Sequence, residues 1–165
     1  MTPAYIALGS NLQDPPAQLK AAVAALGRLP LSRLERLSRF YRSAAVGPGT
    51  QPDYLNAAAL LLTALPPLPL LRALQEIEAR QGRVRSERWG ARTLDLDLLL
   101  YGELALDTPE LQIPHPRMAR RNFVLYPLLD IGGPNLRLPD GTDLGTLVLD
   151  CPRGELEMTC LELQQ

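Results

Sequence analysis

The sequence has little cysteine, histidine, lysine or tryptophan, and almost no net charge. Its two cysteines, Cys151 and Cys160, stand nine positions apart, which fits neither metal-ligand spacing nor a disulfide framework. A formal net charge of −1 argues against a general polyanion binder, so no nucleic-acid partner is expected and any basic site has to be local. Lys20 is the only lysine among 17 basic residues. A skew of that kind follows genome composition, so the abundance of arginine carries no information, although its placement can. No charged stretch precedes the short apolar run Tyr5–Leu8, and no apolar run approaches a membrane span. The expected location is therefore the cytoplasm, with no membrane partner. Neither a Gly-x-x-x-x-Gly-Lys-Ser/Thr loop nor a kinase-type glycine loop is present. Any nucleotide would have to be held by arginines, metal and backbone. Internal repeats and low-complexity segments are also missing. Residues 1–150 read as one domain, long enough to bury a core, and residues 151–165 as a C-terminal tail.

What is present is a chemistry-bearing stretch from Gly82 to Tyr101. Its second half alternates: Leu94, Leu96, Leu98 and Leu100 share one face of a strand, and Thr93, Asp95, Asp97 and Leu99 share the other. Two carboxylates on one face lie about 6.5 Å apart along the strand. At an effective dielectric near 20 they repel by roughly 2.5 kcal/mol. A cation relieves that repulsion, and Mg²⁺ takes one or two carboxylates plus substrate phosphates. Upstream, Arg83, Arg85, Arg88 and Arg92 put four positive charges on a segment that carries Gly82 and Gly90. A carboxylate pair on a strand beside such a loop suits magnesium-assisted phosphoryl transfer. The competing reading is a solvent-facing strand with salt-bridged arginines.

Elsewhere the pattern alternates between strands and helices. Tyr5–Leu8 predicts a buried strand ended by a Gly9-Ser10-Asn11 turn. Asp14 as cap and Pro15 at the first helical position predict a helix closed by Gly27. Leu34–Ser43 favours a strand, and Tyr54–Leu62 another, with Tyr54, Asn56 and Ala58 on one face. Tyr and Asn side by side can stack on a flat ring and hydrogen-bond its edge, but a partly exposed strand start explains them as well. A second helix carries Leu70, Leu74 and Ile77, with Glu78 at the boundary of that stripe. His115 is clamped between Pro114 and Pro116 on a stiff extended segment, which suits a phosphate contact or no special role. Pro127 reduces Phe123–Leu129 to a short helix or an edge strand. A strand with a tight Asp140-Gly141 turn and one more strand after Leu144 complete the reading. Strand, helix, two strands, helix, strand predicts an α+β, ferredoxin-like antiparallel sheet with helices packed on one face.

Four blocks together resemble one family: Leu8-Gly9-Ser10-Asn11, Gln51 to Ala57, Gly82-Arg83 through Arg88-Trp89-Gly90-Ala91-Arg92-Thr93-Leu94-Asp95-Leu96-Asp97, and Pro114-His115-Pro116-Arg117-Met118. The family is the 6-hydroxymethyl-7,8-dihydropterin pyrophosphokinases of folate synthesis, and the resemblance covers roughly residues 4–148. It implies a monomer that moves the pyrophosphoryl group of ATP onto a pterin hydroxymethyl group and releases AMP. It implies two Mg²⁺ ions on Asp95 and Asp97, with Arg83 and Arg92 completing the catalytic set. Tyr54 and Phe123 would sandwich the pterin, with Asn56 reading its edge beside Ser43, Ala44 and Val46. ATP would meet Gln75, Glu78, Arg85, Arg88, Trp89, Arg92, Leu98, His115 and Arg121, with Arg83 and Trp89 on a loop that closes over both substrates. Two rivals from other classes are a two-metal nuclease using the same aspartates, and a binding module without turnover.

Overall fold

The computed structural model describes residues 1–11, 14–44, 53–84, 94–154 and 156–159, without the side chains of residues 83 and 84. In chain order the elements are β1 (Thr2–Ser10), α1 (Pro15–Gly27), β2 (Ser32–Leu37), β3 (Tyr41–Ser43), β4 (Tyr54–Thr63), α2 (Pro67–Val84), β5 (Leu94–Tyr101), β6 (Leu106–Asp107) and β7 (Gln112–Ile113). A 3₁₀ turn at Met118–Arg120 leads into α3 (Asn122–Gly132), α4 (Leu144–Leu149) and β8 (Glu157–Met158). The main sheet is antiparallel in the order β5-β1-β4-β3-β8, with β2 also paired to β4. This is the expected ferredoxin-like α+β plan, its second strand split into β2 and β3.

The period of each strand decides which layer it feeds. Ile6, Leu8, Leu61, Leu94, Leu96 and Leu98 face α1 and α2, where Leu19, Leu26, Leu70, Leu74 and Ile77 fill the core. Helix α1 starts as its sequence demands: the Asp14 carboxylate accepts the Ala17 amide at 3.4 Å, ahead of prolines that have no amide to satisfy. The two crossover helices thus lie on one face. The opposite face, with Ala7, Ala58, Leu60 and Leu99, carries an additional layer from α3 and α4, through Val124, Leu125, Leu128, Ile131 and Leu144.

Several local expectations change. Of the two alternatives for Phe123–Leu129 the helix holds and the edge strand falls, because four buried apolar residues at helical spacing outweigh the one backbone bond that Pro127 forfeits. Residues after Leu144 form a helix before the short β8. Leu136–Leu138 contributes only an isolated bridge, Arg137 to Asp143, around the Asp140-Gly141 turn, with Gly141 at φ 91°. Gly9 and Ser10 continue β1 instead of turning, each paired on both sides with β4 and β5. Thr108–Gln112 closes a small hairpin of β6 and β7. Among the described residues no helix is long and apolar enough to cross a membrane.

Candidate active site

The site begins with strand register. Asp97 pairs with Ala7 of β1, which pairs with Ala58 of β4; Asp95 pairs with Gly9, which pairs with Asn56. Cross-strand partners share a face, so both carboxylates lie on the α3 side of the sheet. The neighbouring β1 positions, Ala7 and Gly9, carry almost no side chain, which leaves space over the sheet. The α3 layer meets this space at Phe123 and Val124. The result is a cavity of about 420 Å³ lined by Ser43, Ala44, Tyr54, Asn56, Asp95, Asp97, Arg121, Phe123 and Val124, with Ala7, Leu8 and Gly9 as its floor.

Asn56 is buried at 3 % exposure, and its amide nitrogen is fully used. It donates to the Tyr41 carbonyl at 3.2 Å and to the Ser43 hydroxyl at 2.8 Å. That leaves Oδ1 as the atom it offers a ligand, an acceptor for a ring N–H. Gly9 lies close beside it: a Cβ there would stand 3.3 Å from Asn56 Oδ1, a tight contact, and 3.9 Å from a Tyr54 ring carbon. Arg121 lies with its guanidinium 5.6 Å from the centre of the Phe123 ring, within cation–π range.

A second cavity, of about 380 Å³, opens on the other side of Asp97. Its walls come from three elements: Leu71 of α2, Leu96 and Leu98 of β5, and the β6–β7 hairpin through Thr108–Gln112, with His115 and Pro116 beyond. Asp97 lines both cavities. His115 is half-buried, and its Nδ1 accepts the Arg117 amide at 3.2 Å, so its proton resides on Nε2. Burial lowers its pKa below the usual value, the Asp97 charge works against that, and Arg121 and Arg117 reinforce it. The ring is therefore a neutral donor at neutral pH.

Glu78 lies behind the carboxylate pair and lines neither cavity. Its carboxylate accepts the amide hydrogen of Leu96 at 2.7 Å. Burial, foremost, pushes its pKa up to about 7; the Leu96 hydrogen bond opposes this, and the charges of Asp95 and Asp97 add to it. Such an accumulation of negative potential, displayed on adjacent same-face carboxylates, fits a hard divalent cation.

Most of the expected site residues therefore come together. Ser43, Ala44, Tyr54, Asn56 and Phe123 gather in one cavity with Asp95, Asp97 and Arg121, while Leu98 and His115 line the other. Gln75 is exposed and lines neither, although it shares the α2 face with Leu71 and Glu78 at i+4 and i+7. Val46, Arg85, Arg88, Trp89 and Arg92 lie outside the described residues, as does the Arg83 side chain. The sequence carried no sign of Ala7 or Val124 at the site, left Thr108–Gln112 without a regular element, and suggested a turn at Gly9. Its signal was a small residue in line with Ala7 beneath the two aspartates.

The comparison that decides the relationship is one of sequence. The profile of the 7,8-dihydro-6-hydroxymethylpterin-pyrophosphokinase family (HPPK) matches residues 5–133. The chain belongs to this HPPK family. Among HPPK relatives, the 2-amino-4-hydroxy-6-hydroxymethyldihydropteridine pyrophosphokinase of Pseudomonas aeruginosa is 55% identical over 148 residues, covering 90% of this chain and 91% of its own. The Haemophilus influenzae enzyme of the same name is 51% identical, covering 90% and 92%. Solved structures agree on the fold. A crystal structure of an HPPK-DHPS in complex with substrates matches with a TM-score of 0.68 at 11% identity, over 91% of this chain and 45% of that one. The wild-type Plasmodium falciparum HPPK-DHPS matches at 0.64 and 12%, over 91% and 43%. This chain thus spans less than half of those two.

Proposed function

We propose that this chain transfers the pyrophosphoryl group of ATP to the hydroxymethyl oxygen of 6-hydroxymethyl-7,8-dihydropterin, releasing AMP, as a step of folate biosynthesis. Membership of the HPPK family carries the reaction. The supporting observation is that two cavities meet at one carboxylate, Asp97, which suits a direct transfer between two substrates. The pterin occupies the cavity between Tyr54 and Phe123, stacked on both faces, with its ring N–H edge on Asn56 Oδ1. The triphosphate runs from the His115 side toward Asp97, with the His115 Nε2 proton on its oxygens and Arg121 reaching them from the pterin cavity. The pterin hydroxyl forms a bond to the β-phosphorus as the bond from that phosphorus to the AMP oxygen breaks. Arg83 and Arg92 complete the catalytic set, and Val46, Gln75, Arg85, Arg88 and Trp89 join the two substrate sites.

Asp95 and Asp97 would hold two Mg²⁺ ions, which would supply positive charge against the phosphate oxygens. Among the described residues no group of three or more His, Cys, Asp or Glu side chains gathers for a metal, and a cation on two carboxylates would leave positions open to substrate phosphates. Among the described residues no strong base is assigned to the pterin hydroxyl, and positioning supplies much of the acceleration. The reading takes residues 1–150 as the body of the pyrophosphokinase domain, with the described part of 151–165 packed back onto it through β8, acting as a cytoplasmic monomer on small molecules and not on nucleic acid.

The test is direct. With Mg²⁺, ATP and hydroxymethyl-dihydropterin, AMP should accumulate, and only when the pterin is present. ADP formation, or ATP loss without the pterin, would overturn the reading in favour of a different transfer or a hydrolase.

A further inference from the structure

Residues beyond Asp150 touch both walls of the cavity that the reading above assigns to the pterin. On one wall, α3 begins at Asn122, between Arg121 and Phe123, which both line that cavity. No side chain caps this helix start. Instead the Asn122 amide reaches out of the helix and donates to the carbonyls of Pro152 at 3.3 Å and Arg153 at 2.8 Å. One turn later the Tyr126 hydroxyl donates to the Cys151 carbonyl at 3.1 Å. On the other wall, β8 extends the sheet beyond β3, pairing Met158 with Tyr41 and Glu157 with Arg42. The Thr159 amide adds a bond to the Phe40 carbonyl at 2.8 Å. β3 ends in Ser43, which the cavity uses, and which holds Asn56 in turn. Between the two attachments the chain turns at Gly154, with φ +59°, and buries Leu156 at 4 % exposure. Arg153 Nε donates to the Leu156 carbonyl at 3.0 Å and closes the turn on itself.

We propose that Cys151–Gly154 and Leu156–Thr159 form a strap joining the two walls of the pterin cavity, and that Asn122 is a positioning residue for pterin binding. Asn122 touches no substrate. Its amide fixes the first turn of α3 against the strap carbonyls, and that turn sets where Phe123 and Arg121 face. The strap in turn is anchored to the strand that carries Ser43. Loosening either anchor lets the walls move apart, so stacking weakens on one side while the nucleotide cavity, built from α2, β5 and the β6–β7 hairpin, stays intact. The proposal rests on the pterin reading of this cavity.

Two mild variants test it from opposite ends. Asn122→Ala deletes both bonds to the strap carbonyls. Thr159→Pro deletes the bond to Phe40, because proline has no amide hydrogen. Steady-state KM for pterin and for ATP is measured on each full-length variant, with Phe123→Ala as reference. The expected result is a pterin KM raised about three- to tenfold in Asn122→Ala, the scale of one or two lost hydrogen bonds, and raised to a smaller extent in Thr159→Pro. The ATP KM should rise by less than the pterin KM, because Arg121 alone among the described nucleotide contacts hangs on that turn. Partial unfolding would lower the maximal rate and leave both KM values unchanged, so it cannot mimic this split. If Phe123→Ala raises the pterin KM and neither strap variant does, the strap proposal is overturned and the cavity assignment stands. Equal rises for both substrates would also overturn it. An unchanged pterin KM in Phe123→Ala would remove the cavity assignment and the strap proposal together.

Discussion

The carboxylate of Glu78, on α2, accepts the backbone amide of Leu96, the residue between Asp95 and Asp97 on β5. One bond therefore ties a helix to the point of the strand from which both carboxylates project, and it adds a third acidic group behind them. The pKa of Glu78 is raised from 4.5 to about 7, chiefly by burial. A raised pKa means that the folded state favours the protonated form. That preference stabilises fully below the unfolded value of 4.5 and is lost as pH climbs through about 7. Glu78→Gln keeps an oxygen for the Leu96 amide and stays neutral. The expected outcome is a thermal midpoint that gains on the parent progressively between about pH 4.5 and 7. Thermal melts of both proteins across that range check it; a constant difference would contradict the titration of Glu78.

Gly9 was misread in the sequence as part of a turn, and its role in the fold is closeness. Gly9→Ala brings a methyl to 3.3 Å from Asn56 Oδ1, the atom offered to the pterin edge. Overpacking of this kind costs about 1–3 kcal/mol. The pterin KM should rise roughly five- to hundredfold with little change for ATP, as steady-state kinetics with each substrate varied would reveal.

His115 offers a neutral Nε2–H because Arg117 occupies Nδ1. His115→Ala removes a donor to a charged phosphate, a loss of about 1.5–3 kcal/mol. The ATP KM should rise roughly ten- to hundredfold while the pterin KM remains near the parent value. Nucleotide titration of the free enzyme checks the same loss without turnover.

Asn56→Asp keeps the shape and lets the Ser43 hydroxyl turn round to donate, but it sets a buried carboxylate oxygen against the Tyr41 carbonyl oxygen, 3.2 Å from the present nitrogen. A buried group left without its partner costs about 1–3 kcal/mol. Both stability and pterin affinity should fall, measured by denaturant unfolding and by equilibrium binding of the pterin.

The parts legible in the sequence were those governed by short-range period. Asp95 and Asp97 among alternating leucines, and Tyr54 beside Asn56, could be read because a strand repeats every two residues and so assigns faces by itself. The cap at Asp14 and the helix it starts were legible for the same local reason. What the sequence concealed depends on chains meeting at a distance. Pro127 left α3 open between a short helix and an edge strand, and what decides for the helix is burial against β4 that no window of sequence displays. The nucleotide-side cavity draws on the β6–β7 hairpin, a pair of two-residue strands too short for any periodicity to register. Glu78 read as a boundary residue on its helix, and only the approach of β5 gives it the Leu96 amide.

The central claim is that the Asp95–Asp97 pair, at the junction of the two cavities, drives the transfer by electrostatics. The most direct measurement is the rate of AMP formation by Asp97→Asn at saturating ATP, pterin and Mg²⁺, alongside the pterin affinity of the same variant. The account predicts a rate at least about 10²-fold below the parent, the scale of losing a main electrostatic stabiliser, with pterin still bound. A near-parental rate would contradict it.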